Sequence, residues 1–210
     1  MYKRQAQAFV DEVLIAALDA RQVSVGENFR FGHKATGTPE LLASRPEFDT
    51  RVVPLVEVEG EIVSSSHVRG LVLAGDVATA NRFLGAPFQM RGSVVTGDRR
   101  GRTLGYPTAN LVPDDAFVTP GHGVYACTAS WGEREGPRAS AVNVGVRPTF
   151  DSGRGVLVEA YVLDAEPDLY GLDLRLDFLE RLRGERRFDT VDGLVEQMRH
   201  DVERTRAVVG

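Results

Sequence analysis

The 210-residue sequence is poor in several things that other function classes need. It has one cysteine, Cys127, so no disulfide can form within the chain. That usage fits a reducing compartment. It has one tryptophan and 8% aromatic residues, and its formal charge is −5, which together argue against a general nucleic-acid binder. No apolar run approaches the roughly 20 residues of a membrane span, and the basic start is followed by Asp11 and Glu12 rather than a signal-peptide core. We therefore expect a cytoplasmic protein without membrane or nucleic-acid partners. The four histidines, His33, His67, His122 and His200, are scattered, with neither His-Glu-x-x-His nor Cys-x-x-Cys, so zinc chemistry is not expected. There is no Gly-x-Ser-x-Gly elbow and no Walker loop.

What is present reads as two parts. Phe9, Val10, Val13, Leu14, Ala17 and Leu18 have helical spacing, followed by a short strand at Val23–Gly26 and a second candidate over Arg51–Val56, where Pro54 suggests an edge. Helix then strand, with a loop leaving the strand, is the rhythm of an α/β sheet. A second helical stretch runs from an N-cap at Ser66, restarts at Asp76 and stops at Gly85-Ala86-Pro87. This places a domain boundary between residues 84 and 85. Beyond it the pattern becomes strands: Phe88–Thr96, Val124–Trp131, Arg138–Val146, Val156–Asp164 and Leu174–Leu182, separated by turn residues as in a sandwich or barrel. An amphipathic helix over Thr190–Val209 ends the chain, with Asp189 as a cap, an apolar stripe of Val191, Leu194, Val195, Met198 and Val202, and arginines toward its end.

Three segments carry candidate chemistry. Gly97-Asp98-Arg99-Arg100-Gly101-Arg102-Thr103-Leu104-Gly105 combines glycines with positive charge, as an anion site requires; a solvated hairpin has the same composition. After Pro107 the backbone is extended, so Thr108 and Asn110 point the same way and offer two hard oxygens suited to Mg²⁺, or else satisfy local backbone groups. Glu159 lies in the apolar run Val156–Leu163, on the face shared with Leu157, Tyr161 and Leu163. There it suits a general base, or simply a solvent-facing strand position. Two glycine-bearing loops, Asn143–Gly155 and Arg183–Phe188, could flank a ligand or be plain turns.

Taken together these segments resemble the riboflavin kinase module at the carboxyl end of prokaryotic bifunctional riboflavin kinase/FAD synthetase. The resemblance rests on Leu104-Gly105-Tyr106-Pro107-Thr108-Ala109-Asn110, Asn143-Val144-Gly145-Val146-Arg147-Pro148-Thr149-Phe150, Val158–Asp164 and Leu182–Asp189, and covers residues 88 to the end. It implies a Greek-key six-stranded β-barrel with a C-terminal helix. It implies ATP contacts at Gly97, Gly101, Arg102, Thr103, Thr108 and Asn110, Mg²⁺ on Thr108 and Asn110, a base at Glu159, and flavin contacts at Arg147, Gly155 and Arg183. Riboflavin and ATP would be the substrates and FMN the product. Residues 1–84 are similar to the second half of the Rossmann-like nucleotidyltransferase module of the same enzymes. Val25–Gly32 and Val63–Arg69 would supply remnant site residues Gly26, Asn28, Phe29, Ser64, Ser65 and Arg69. The module's His-x-Gly-His is missing, so the chain is expected to be an incomplete adenylyltransferase that makes FMN but not FAD. The rival expectations are an intact bifunctional enzyme, a flavin-binding module without catalysis, and a single-strand nucleic-acid binder on a small barrel.

Overall fold

The protein is described from a computed structural model over residues 4–97, 100–113, 117–132, 136–146 and 156–210, without the side chains of Arg100, Arg102 and Val146. Its contacts divide the chain into two units, Met1–Val63 and Ser64–Gly210.

In the first unit, helix α1 runs over Ala6–Phe9 and widens into π turns over Val10–Ala17, so that the Leu18 N–H reaches the Val13 carbonyl at 3.0 Å. Strand β1 (Gln22–Gly26) pairs in parallel with β2 (Asp49–Val53). Between them in the chain lies helix α2 (Pro39–Ala43), whose Leu41 N–H donates to the Thr38 side chain at 3.3 Å. Val10, Leu42 and Phe48 form the core of this unit. The helix and parallel pair are the α/β pattern read from the sequence. The second strand starts earlier than expected and stops before Pro54, which has no N–H to give a ladder. A small hairpin, β3 (Glu57–Val58) and β4 (Glu61–Ile62), closes the unit.

The second unit opens with helices α3 (Ser65–Ala74) and α4 (Val77–Leu84). The α3 cap is Ser64, not the expected Ser66: its hydroxyl accepts the His67 N–H at 3.2 Å. Gly75, in the left-handed conformation at φ 83°, ends α3, and Asp76 caps α4 through the Thr79 N–H. These helices belong with the barrel rather than with the α/β pair, so the division by contacts falls before the expected 84/85 junction. The reason is their buried face: Val77 is fully buried in the barrel core, and the Asn81 carboxamide donates to the Phe178 carbonyl at 2.8 Å while accepting the Phe88 N–H at 2.7 Å.

Six antiparallel strands then close a barrel in the order β10-β5-β6-β9-β8-β7. They are β5 (Phe88–Val95), β6 (Ala109–Pro113), β7 (Gly123–Ser130), β8 (Arg138–Val146), β9 (Val156–Val162) and β10 (Asp173–Arg183); helix α5 (Arg100–Thr103) lies between β5 and β6. Pairing β9 with β6, and β10 with both β5 and β7, makes the connections cross as in a Greek key, and closure leaves no free edge. The strand β6 has no alternating signature of its own, because Pro107 and Pro113 bracket it. Tyr125, Val142, Val144, Val158, Leu174, Leu176 and Phe178 fill the interior, all fully buried.

The terminal helix α6 (Val191–Val209) is capped by Thr190, which accepts the Gly193 N–H at 3.1 Å, rather than by Asp189. Its buried residues are Asp201 and Thr205; of the apolar stripe Leu194, Val195, Met198 and Val202 are half-buried and Val191 is exposed. Val208 packs on Val124, Ala126 and Leu182, covering the outer face of β7. The late arginines do more than complement the helix dipole: Arg204 donates to the Leu182 carbonyl at 2.6 Å and to Glu180 at 2.9 Å.

Candidate active site

Strand register decides which side chains meet. Val158, Ala160 and Val162 point into the barrel, so Glu159, half-buried, points outward with Tyr161. Opposite Glu159 on β6 stands Asn110, and opposite it on β8 stands Asn143. Paired residues share a face with Cβ atoms about 5 Å apart. The outer surface therefore carries a continuous row, Asn110–Glu159–Asn143, across three adjacent strands.

The glycine loop closes over one end of this row. A Cβ on Gly97 would fall on the Asn110 carboxamide, and a Cβ on Gly101 would meet the Tyr106 carbonyl and lie 3.4 Å from Thr108 Oγ1. Glycine at both positions thus lets the loop backbone rest against Asn110 and Thr108. The Leu104 and Tyr106 N–H groups both donate to the Gly101 carbonyl, at 3.1 and 2.9 Å, holding the loop folded. Thr103 is exposed at the end of α5. Tyr106 packs edge-on against Tyr161 at 5.3 Å, tying the segment before Thr108 to the strand of Glu159. Burial raises the Tyr161 hydroxyl pKa, with Asp164 adding to the shift.

A cavity of about 390 Å³ opens beside Thr108, where apolar Val94, Ala109, Ala160, Val162 and Leu169 line it together with the acidic Glu166 and Asp168. It lies at the inner mouth of the barrel, whereas Asn110 and Glu159 lie on the outer face; Thr108, at the entry to β6, borders both. Its volume and mixed lining suit a flat ring that carries polar edge groups.

The other expected residues distribute as follows. Arg147, Gly155 and the side chain of Arg102 lie outside the described residues. The Arg183 guanidinium grips the Asp201 carboxylate at 2.8–3.1 Å and stands over the Phe188 ring at 5.7 Å. In the first unit Gly26 ends β1, the Phe29 N–H turns back to the Gly26 carbonyl at 3.0 Å, the Asn28 carboxamide lies beside Gly26, and Phe29 stacks on Phe31 at 5.5 Å. Ser64 is occupied as a cap, and Ser65 and Arg69 are exposed along α3. In the sequence Asn143 reads only as the start of a glycine-bearing loop, and the Tyr106–Tyr161 contact is not expected; alternation along each strand puts Asn143 and Tyr161 on outer faces, but only the register places them beside Asn110 and Glu159.

A closed six-stranded barrel, with a glycine loop against a hydroxyl and a carboxamide and a carboxylate one strand away, brings together groups of the kinds that phosphoryl transfer uses. The comparisons make this particular. The riboflavin kinase family model matches residues 84–209, and that of FAD synthetase matches residues 1–67. The bifunctional riboflavin kinase/FMN adenylyltransferase of Listeria monocytogenes is 32% identical over 203 residues, covering 96% of this chain and 64% of the relative. That of Escherichia coli K12 is 37% identical over 199 residues, covering 93% of this chain and 63% of the relative. A crystal structure from Streptococcus pneumoniae, described as a macrolide-efflux protein, superposes with a TM-score of 0.86 at 37% identity, over 97% of this chain and 66% of that one. Among the described residues no helix is long and apolar enough to cross a membrane. The chain belongs to the riboflavin kinase family, and it spans about two thirds of the length of these relatives.

Proposed function

We propose that the chain transfers the γ-phosphate of Mg-ATP to the 5′-hydroxyl of riboflavin, giving FMN and ADP. The observation that carries this is the register that sets Asn110 opposite Glu159 under the Gly97–Gly105 loop. Phosphoryl transfer needs chiefly positioning and charge neutralisation, and a phosphate-side group beside a proton acceptor supplies both.

Thr108 and Asn110 fit a magnesium ion: they offer two hard oxygens, and the missing Cβ atoms of Gly97 and Gly101 leave room against them. Mg²⁺ held there would neutralise the charge on the phosphate oxygens. The loop backbone orients the phosphates, and the cavity beside Thr108 takes the base of the nucleotide. Glu159 accepts the proton as the 5′-oxygen bonds to phosphorus and the bond from phosphorus to the ADP oxygen breaks. A reaction that consumes ATP and free riboflavin belongs in the cytoplasm.

The first unit we read as part of an FMN adenylyltransferase module, on the FAD synthetase match. No His-x-Gly-His occurs in the 210 residues, so the chain as it stands is expected to stop at FMN. Incubation with riboflavin, ATP and Mg²⁺ followed by chromatography of the flavins tests both readings: FMN alone supports them, and FAD refutes the second. Glu159→Gln should lower turnover by roughly 10²–10⁴-fold while ATP still binds, the usual contribution of a general base. Full turnover in that variant would remove Glu159 from the role.

A further inference from the structure

We propose that Asn143 is a substrate-contacting residue that holds the sugar-alcohol chain of the acceptor, one strand beyond Glu159. This rests on the kinase reading and adds to it a specificity-determining group.

The argument is one of order across the sheet. Asn110 of β6, Glu159 of β9 and Asn143 of β8 occupy one register line and one face. Adjacent strands lie about 4.8 Å apart. If the phosphates are at the Asn110 end and the proton leaves to Glu159, the reacting oxygen lies near the middle of the row. The rest of the acceptor must then leave away from the phosphates, in the direction of Asn143. One strand spacing is the reach of one or two carbons of a polyhydroxylated chain, so a hydroxyl there meets the Asn143 carboxamide. A carboxamide both donates and accepts, which matches an alcohol oxygen.

The surroundings of Asn143 keep that direction open. Next on the same face is Gly145, where a Cβ would stand 3.7 Å from Asn143 Nδ2 and 2.5 Å from a Glu185 carboxylate oxygen. A side chain at 145 would collide with the Glu185 carboxylate, whereas its distance from the Asn143 amide is ordinary contact. On the following strand the row meets Val124, which is buried under Val208 of α6. The polar row therefore ends at Asn143, against the flank of the terminal helix. Asn143 itself is half-buried, so its amide is partly desolvated and a bond to a ligand there has more effect than one on open surface.

The test separates contact with the chain of the acceptor from contact with its ring. Flavin fluorescence quenching gives the affinity of the intact protein and of Asn143→Ala for riboflavin and for lumiflavin, the isoalloxazine without the ribityl chain. The expected result is a loss of about tenfold for riboflavin, the scale of one hydrogen bond to a ligand, and an unchanged affinity for lumiflavin. KM for riboflavin should rise accordingly and KM for ATP stay as it was. Unchanged riboflavin affinity overturns the proposal, and so does an equal loss for both flavins, which would mean a general change of the pocket. Asn143→Ser serves by the same criteria if the alanine variant does not fold. FMN formation by the unaltered chain is measured alongside. Its absence sinks the kinase reading, whereas FMN formation with unaltered binding by the variant sinks only the assignment of Asn143.

Discussion

Removing the Asp201 carboxylate should cost the barrel unit about 3 kcal/mol, because it strands a guanidinium inside the fold. Asp201 sits on α6 with its side chain only 6% exposed, and Arg183, at the end of β10, is 21% exposed. Three contacts of 2.8–3.1 Å join the two, and Gln197 donates to the same carboxylate at 3.0 Å. Breaking a buried pair by deleting one partner typically costs about 3–5 kcal/mol; the partial exposure of Arg183 favours the lower end. At about 2–4 °C per kcal/mol for a chain of this size, Asp201→Ala should lower Tm by about 6–12 °C. Trp131 is the only tryptophan and packs against the barrel core, so its emission follows the relevant unit through the transition. The pair also predicts its own rescue. Arg183→Met together with Asp201→Leu leaves no unpaired charge and should regain most of the loss. A fall of less than about 2 °C in Asp201→Ala would refute the reasoning. So would an equal fall when Asp201→Ala is made in the Arg183→Met background, since the carboxylate would then act independently of the guanidinium.

Two further outcomes follow from the geometry. Gly97→Ala places a Cβ on the Asn110 carboxamide and should lower kcat/KM for Mg-ATP by about 10²-fold, the scale of an ångström of misplacement, with little change in Tm; wild-type kinetics in that variant would show that the loop does not rest on Asn110. Cys127 is fully buried, and burial raises its thiol pKa well above the ordinary 9.0. The folded state then favours the protonated thiol. Its contribution to stability is complete below about pH 9 and is lost as pH rises toward the folded pKa, since only the unfolded chain ionises there. Cys127→Ala should therefore destabilise less with rising pH above 9 than the parent does, and the native thiol should resist a thiol reagent until denaturant is added. Rapid labelling of the native protein would refute this.

The strands and the residues of the row were legible in the sequence to different degrees, for physical reasons. Alternation marks a strand when one face is apolar, which is why β5, β7, β8, β9 and β10 could be read within a residue or two of their ends. β6 is five residues long and bracketed by prolines, so it has no period to read, yet it carries Asn110. The candidate residues Thr108, Asn110 and Glu159 stood out because polar groups in tight or apolar segments are conspicuous locally. Asn143 did not, since an asparagine leaving a strand toward a glycine-rich loop looks like turn chemistry. Arg183 reads only as an implied flavin contact, and nothing local in the sequence points to its pairing with Asp201 across 18 residues of chain. The common cause is that register and long-range charge pairing are properties of the closed barrel. A one-residue slip of β9 against β6 would send Glu159 into the core and Val158 to the surface. The buried faces of Val158, Ala160 and Val162 forbid that slip, so the same apolar residues that build the core also fix Glu159 between its two asparagines.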